Sequence, residues 1–149
     1  SAMSDQEFSE IIKKRPLKAE FYQSFNKNTG FTQEQIFESL AVISRTAKRM
    51  DEMLDKFGGP WLLGTDYSLA DIAALPLIDR IEDLGLDGLW IEPYPSVSKW
   101  LNNAQQRTAT NKTYFQGSRL SNQFPDLVKG PGSLSDWTDK FFKARSNKD

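Results

Sequence analysis

The longest periodic segment of the chain, residues 32–57, predicts an amphipathic helix and favours an all-helical fold. Thr32 and Gln35 have the spacing of a capping box. Gly58 and Gly59 follow the segment and are typical of a helix end. Apolar residues recur in steps of four and three along one side, as a helix with one buried face requires. They are Ile36, Leu40, Ile43, Ala47, Met50 and Leu54.

A second helix is predicted from the stretch TDYSLADIAALP, residues 65–76, and should run to about residue 84. Ser68 is the predicted N-cap, and Asp71 lies three residues later, where its carboxylate can reach back to the Ser68 backbone N–H. We interpret both residues as structural, with a loss of about 0.5–2 kcal/mol expected on replacing either with alanine. Pro76 should kink the helix.

This second helix is apolar nearly all round, which predicts that it is buried among other helices. The positions expected to be most buried in the chain are Trp61, Leu69, Ile72, Pro76, Ile81 and Trp100.

Shorter helices are predicted on either side of these two segments. Capping patterns and apolar spacing place them at residues 4–14, 17–26, 95–107, 110–115 and 133–143. Residues 118–132 contain two prolines and two glycines and are expected to be irregular. Alternating strand patterns are missing from the sequence. The predicted fold class is therefore all-α, a bundle of about five to seven helices.

Composition limits the chemistry that these 149 residues could perform. Cysteine and histidine are both absent, so the sequence offers no thiol nucleophile, no disulfide, no Cys/His metal site and no imidazole base. Nineteen basic and twenty acidic residues give a net charge of −1, which argues against nucleic-acid binding. No apolar run approaches the roughly 20 residues of a membrane span, and we expect a cytoplasmic protein without membrane contact.

The residues from the first long helix onward resemble the C-terminal helical domain of the glutathione S-transferase family, from about residue 32 to 109. That domain has the pattern (F/Y)L-x-G-x-x-x-(S/T)-x-A-D followed by P-x-(V/L)-x-x-W. The matching positions here are Leu62, Gly64, Ser68, Ala70 and Asp71, then Pro95, Val97 and Trp100. The family's usual Arg-Pro-Ala is replaced by Arg107-Thr108-Ala109. Weaker similarity points to the bacterial β-etherase-like branch, which cleaves lignin-derived aryl ethers.

The resemblance implies a division of labour between two domains. In this family an N-terminal thioredoxin-like domain binds and activates glutathione, and nothing in residues 1–31 looks like that domain. We therefore expect no catalytic residue and no metal ligand in this chain. The helical domain contributes apolar walls for an electrophilic, aromatic co-substrate, and Phe21, Tyr22 and Phe25 are the candidates to line that pocket. The alternative for these three aromatics, and the favoured one, is ordinary packing in the core. A full-length protein of this kind is expected to be a homodimer.

The expected domain organisation has three parts. Residues 1–3 look like the remnant of a cleaved expression tag, residues 4–117 form the helical domain, and residues 118–149 form an extended tail with a short docking helix. Two other functions remain open. One is a non-catalytic protein-interaction module of the same fold, as in translation factors or synthetase scaffolds. The other is a regulator that kept the fold and lost the chemistry.

Overall fold

The computed structural model describes residues 5–14, 16, 31–113, 116–129 and 132–146. The chain divides into two compact units, residues 1–38 and residues 39–149. The first contains helix α1, Asp5–Lys14, and the first turns of helix α2, Gln33–Phe57. The second contains the rest of α2 and all later elements. The described residues hold helices and turns but no strand, so the predicted all-α fold class is confirmed.

The second unit continues beyond α2 as a series of shorter helices. In chain order they are α3 Leu69–Asp83, a 3-10 turn Asp87–Leu89, α4 Pro95–Gln105, α5 Thr108–Thr113, a 3-10 turn Gln116–Ser118, α6 Leu120–Gln123, α7 Pro125–Val128 and α8 Leu134–Ser146. The helices predicted from residues 68, 95 and 133 are present, within a few residues of their expected bounds. The helix predicted for residues 17–26 lies outside the described residues.

Helix α2 forms where its sequence pattern places it. The Thr32 backbone N–H donates to Gln35 Oε1 at 2.9 Å, and the Gln35 N–H donates back to Thr32 Oγ1 at 3.2 Å. This reciprocal capping box satisfies N–H groups that the first helical turn leaves without partners. Leu40, Ala47, Met50 and Leu54 are buried, together with Ser44. Gly58 ends the helix in a left-handed conformation, at φ 63°.

Helix α4 is anchored to α2 through its N-terminus. Asp51 of α2 accepts a 2.9 Å hydrogen bond from the Ser96 backbone N–H, and Asp55 accepts one of 3.2 Å from the Ser96 hydroxyl. A carboxylate at this end also matches the positive end of the α4 dipole. Pro95 occupies the first turn, where its missing N–H removes no helical hydrogen bond. The two helices are thus held together by a cap supplied from a neighbouring helix.

The core of the second unit is formed mainly by one face each of α2, α3 and α4 and by the segment that joins α3 to α4. Trp90, Trp100, Leu89 and Val97 are almost fully buried, and Val128 of α7 is also buried. Helix α3 contacts α4, and α8 contacts both the Asp87–Leu89 turn and α7.

The predicted burial is confirmed at two positions and wrong at three. Trp100 and Ile81 are 1% and 7% exposed. Leu69 and Ile72 are 81% and 52% exposed, and Pro76 is also exposed. The reason is geometric: positions 69, 72 and 76 lie on one side of α3, and that side faces solvent rather than the core. Trp61, the sixth predicted position, is half-buried.

The prediction of irregular structure over residues 118–132 is wrong in part. Two four-residue helices, α6 and α7, lie within it. Helices this short are not stable on intrinsic propensity alone, so their hydrogen-bonded contacts with the rest of the unit must fix them.

Candidate functional site

The buried carboxylate of Asp71 is the most heavily hydrogen-bonded side chain at the start of α3. One oxygen, Oδ1, accepts from the Leu62 backbone N–H at 2.9 Å and from Trp100 Nε1 at 2.7 Å. The other, Oδ2, accepts from the backbone N–H and the hydroxyl of Ser68, at 2.9 and 2.8 Å. Asp71 therefore joins three segments: the turn before α3, α3 itself and α4. It has no exposed surface.

The electrostatics of Asp71 favour a permanent carboxylate. Burial by itself raises the pKa of Asp71, but hydrogen bonds from Leu62, Trp100 and Ser68 outweigh burial and hold the pKa below its usual value. A group with no solvent access, a lowered pKa and four donors already bound has no free lone pair to offer a substrate proton. Asp71 therefore has the contacts expected of a carboxylate that caps a helix.

The C-terminal half of α3 carries a second polar network, centred on Arg119. Its guanidinium binds Asp79 at 2.7 Å and Glu82 at 3.0 Å. The amide of Gln105 donates to the same two carboxylates, at 3.0 and 3.1 Å. Burial lowers the pKa of Arg119, but the charges of Asp79, Glu82 and Asp83 reverse this and raise it, so the guanidinium stays charged. The network fastens the segment before α6 to α3.

Asp83 completes this attachment. It accepts hydrogen bonds from the Leu120 N–H at 2.9 Å and from the Ser121 hydroxyl at 2.7 Å, and it pairs with Arg80 at 2.6 Å. Burial alone would raise the pKa of Asp83. Hydrogen bonds from Ser121 and Leu120 and the charge of Arg119 outweigh burial, so the pKa lies below its usual value. The carboxylate thereby caps the N-terminus of α6. Because its oxygens are occupied by these donors, we interpret Asp83 as a structural group.

One side of α3 makes no such polar contacts with the part of the chain that the structure describes. We define the α3 face as Leu69, Ile72, Ala73, Pro76 and Leu77, which all have side chains exposed to solvent. Leu69, Leu77 and Ile72 are 81%, 57% and 52% exposed. The spacing 69, 72, 73, 76, 77 places the five side chains in one continuous stripe. Contiguous exposed apolar surface of this kind marks an interaction site on soluble proteins.

The remaining predicted site residues fall elsewhere. Phe21, Tyr22 and Phe25, the predicted pocket aromatics, lie outside the described residues. Ser68 and Asp71 meet at the start of α3, as their spacing indicates. The α3 face was missed as a surface because each of its residues was expected in the core. The sequence did contain an indication of this surface, namely the apolar pattern around the whole of α3. One side of such a helix can pack in the core of its own chain while the other side packs against another molecule.

The comparison with protein families agrees with this architecture. Residues 33–103, which include α2, α3 and most of α4, match the family model for the glutathione S-transferase C-terminal domain. The sequence of this part of the chain is therefore similar to that of a glutathione S-transferase C-terminal domain. Comparisons with curated proteins and with solved structures gave no significant match. Among the described residues of this domain and its flanks, no helix is both long and apolar enough to cross a membrane.

Proposed function

We propose that the chain is the hydrophobic-substrate domain of a glutathione S-transferase-like enzyme. The parent reaction is attack of the glutathione thiolate on an electrophilic, aromatic small molecule. The observation that carries the proposal is the α3 face. A C-terminal-like helical domain with a stripe of exposed apolar side chains on its central helix fits a domain that packs against a second one.

The proposed division of chemistry follows from the residues of the chain. Thiol transfer near neutral pH needs a site that lowers the pKa of the thiol from about 8.5, by means of an aligned hydroxyl or a helix N-terminus. The carboxylates of Asp71, Asp79 and Asp83 would oppose a thiolate, and their oxygens are already bound to donors. Glutathione activation is therefore assigned to a thioredoxin-like domain of the parent. The helical domain orients the acceptor against apolar walls.

The same α3 face also supports a second function, a non-catalytic interaction module. An exposed apolar stripe serves equally for docking a helix of a translation factor or a synthetase scaffold. The two functions differ in what happens to glutathione in the full-length parent. An enzyme conjugates glutathione to an aryl electrophile such as a chlorodinitrobenzene, whereas a scaffold does not.

The test has two arms. Calorimetric titration of this chain with glutathione should give no affinity better than millimolar, and a micromolar dissociation constant would show that the site lies in this domain after all. In the full-length parent, Leu69→Ser combined with Leu77→Ser should lower the melting temperature and the conjugation rate. The isolated chain should lose little stability from the same pair, because both side chains are solvent-exposed in it.

A control double variant shows whether the effect on the full-length parent is specific to the α3 face. Val42 and Phe124 are 49% and 54% exposed and do not belong to the α3 face, so Val42→Ser with Phe124→Ser removes comparable apolar surface elsewhere. Equal losses from both pairs in the parent would contradict domain docking through α3. Loss of parent stability without any conjugation by the unmodified parent would favour the interaction module.

A further inference from the structure

An open cleft lies between the segment that follows α3 and helix α8, apart from the α3 face. One part has a volume of about 560 Å³, and its lining includes Gly88, Ile91, Glu92 and Thr138. An adjoining part of about 530 Å³ shares Gly88, Ile91 and Thr138 and adds Asp87. Because they share lining residues, the two parts form one continuous cleft rather than two separate cavities, and each is within the size range of ligand sites.

The charge along this cleft is negative and largely uncompensated. Asp87, Glu92 and Asp139 line it, and none of their three side-chain carboxylates makes a hydrogen bond or ion pair with another described residue. A fourth carboxylate, Asp136, is neutralised by Lys140 at 2.9 Å. Three unpaired carboxylates in one cleft attract cations, since the low-dielectric walls concentrate their field.

The cleft also offers apolar surface and a hydroxyl. Ile91 and Phe142 line it and are 50% and 36% exposed. Thr138 lies on both parts of the lining and is 5% exposed, and its Oγ1 has no hydrogen-bond partner. A buried hydroxyl without a partner is uncommon in folded proteins, and a bound polar group can satisfy it. Carboxylates, apolar walls and an unused hydroxyl thus converge on the same lining.

We propose that this cleft binds a basic peptide segment of a partner protein. Lysine or arginine side chains of the peptide would face Asp87, Glu92 and Asp139, and an aliphatic or aromatic side chain would lie against Ile91 and Phe142. Charge complementarity selects a cationic ligand. The presence of carboxylates in both parts of the cleft, beside apolar walls, favours a peptide with several basic side chains over a single small amine. The proposal does not depend on whether the parent is an enzyme.

The experiment is a fluorescence-anisotropy titration of the chain with a labelled nine-residue peptide in which lysine and leucine alternate. The variant Glu92→Gln with Asp139→Asn should bind about tenfold more weakly, as expected for two lost charge contacts. The matched control is Glu38→Gln with Asp126→Asn, which removes one glutamate and one aspartate outside the cleft. It should bind within about twofold of the unmodified chain, because neither side chain lines the cleft.

Two further arms separate the contributions of the walls and the hydroxyl. Ile91→Ser should weaken binding of the lysine–leucine peptide but not of a lysine–serine peptide. Thr138→Val should weaken binding of the peptide while the melting temperature stays the same or rises, because the hydroxyl makes no bond in the free protein. Melting curves recorded for each variant show whether it remains folded.

Three outcomes would overturn the proposal. In the first, the cleft variant and the control variant bind the basic peptide equally well. In the second, a glutamate–leucine peptide binds as tightly as the lysine–leucine one, so that charge does not select the ligand. In the third, a small organic cation such as benzylamine or spermine binds as tightly as the peptide and displaces it, which would make the cleft a small-molecule site.

Discussion

Removing the Asp71 carboxylate should destabilise the chain far more than the loss of an ordinary helix cap. Asp71→Ala leaves the Leu62 N–H and the Trp100 indole N–H without acceptors, and both residues are almost fully buried. Each unsatisfied buried donor costs about 1–3 kcal/mol. The lost cap at Ser68, which is half-buried and can bind water, adds about 1 kcal/mol. The expected loss in the free energy of unfolding is therefore roughly 3–7 kcal/mol.

This value exceeds the 0.5–2 kcal/mol or so that a helix cap alone predicts. The excess comes from the two donors that belong to other segments. Asp71→Asn keeps the shape of the side chain but replaces one acceptor oxygen with an NH₂ donor, so only part of the set of four donors can still be satisfied. Asp71→Asn should accordingly lower the free energy of unfolding less than Asp71→Ala does and more than the substitution of an exposed control residue does. Asp66→Ala, in the same turn and exposed, should change stability by no more than about 0.5 kcal/mol.

The contribution of Asp71 should also depend on pH. Its pKa in the folded chain lies below the usual value, so the folded state favours the ionised form. The stabilisation is then fully present above the unfolded pKa of about 3.9 and is lost as the pH falls through the lower, folded pKa. The difference in unfolding free energy between the unmodified chain and Asp71→Asn should therefore be constant at neutral pH and shrink in acid.

Urea unfolding followed by tryptophan fluorescence provides the assay, because Trp100 lies in the affected contact. A folded Asp71→Ala chain that loses less than about 1 kcal/mol would refute the assignment of two buried donors to this carboxylate, since each alone costs that much. If the difference in unfolding free energy between the unmodified chain and Asp71→Asn stayed constant from pH 7 to pH 3, folding would not lower the pKa of Asp71, and that part of the reasoning would be refuted.

Two further substitutions test contacts elsewhere in the second unit. Arg119→Met should lower the unfolding free energy by about 2–4 kcal/mol, because it leaves Asp79, which is 4% exposed, without its guanidinium partner; calorimetric melting measures the loss. Gly85→Ala should cost more than Gly58→Ala. Both glycines have positive φ, which costs an alanine about 1–2 kcal/mol, but only at Gly85 would the added methyl also clash, 2.8 Å from Val128 Cγ1. Equal losses in urea unfolding would refute the clash.

The sequence could predict those parts of the fold that short-range rules determine. The caps of α2 and α3 depend on residues three apart, Thr32 with Gln35 and Ser68 with Asp71. The buried stripe of α2 follows from helical periodicity. These features need only the local geometry of a helix, and a single sequence contains all of it.

The long-range polar contacts could not be predicted in this way. Asp71 meets Trp100 across 29 positions, and Arg119 meets Asp79 across 40. No periodicity connects such pairs, because their distance is set by how the helices pack. The short helices α6 and α7 were missed for the same reason: the α6 N-terminus is capped by Asp83, which lies 37 positions before Leu120.

The errors of burial on α3 have a different cause, and they bear on function. An apolar pattern around a whole helix predicts that every side is removed from water, but it does not say by which molecule. Within this chain α3 buries Leu75 and Ile78, while Leu69 and Leu77 remain exposed. The apolar side chains of α3 thus fall into two groups: one group packs in the core, and the other is exposed to solvent. Packing in the core explains the first half of the pattern, and the second half is the part that a docked domain or partner would cover under the proposed function.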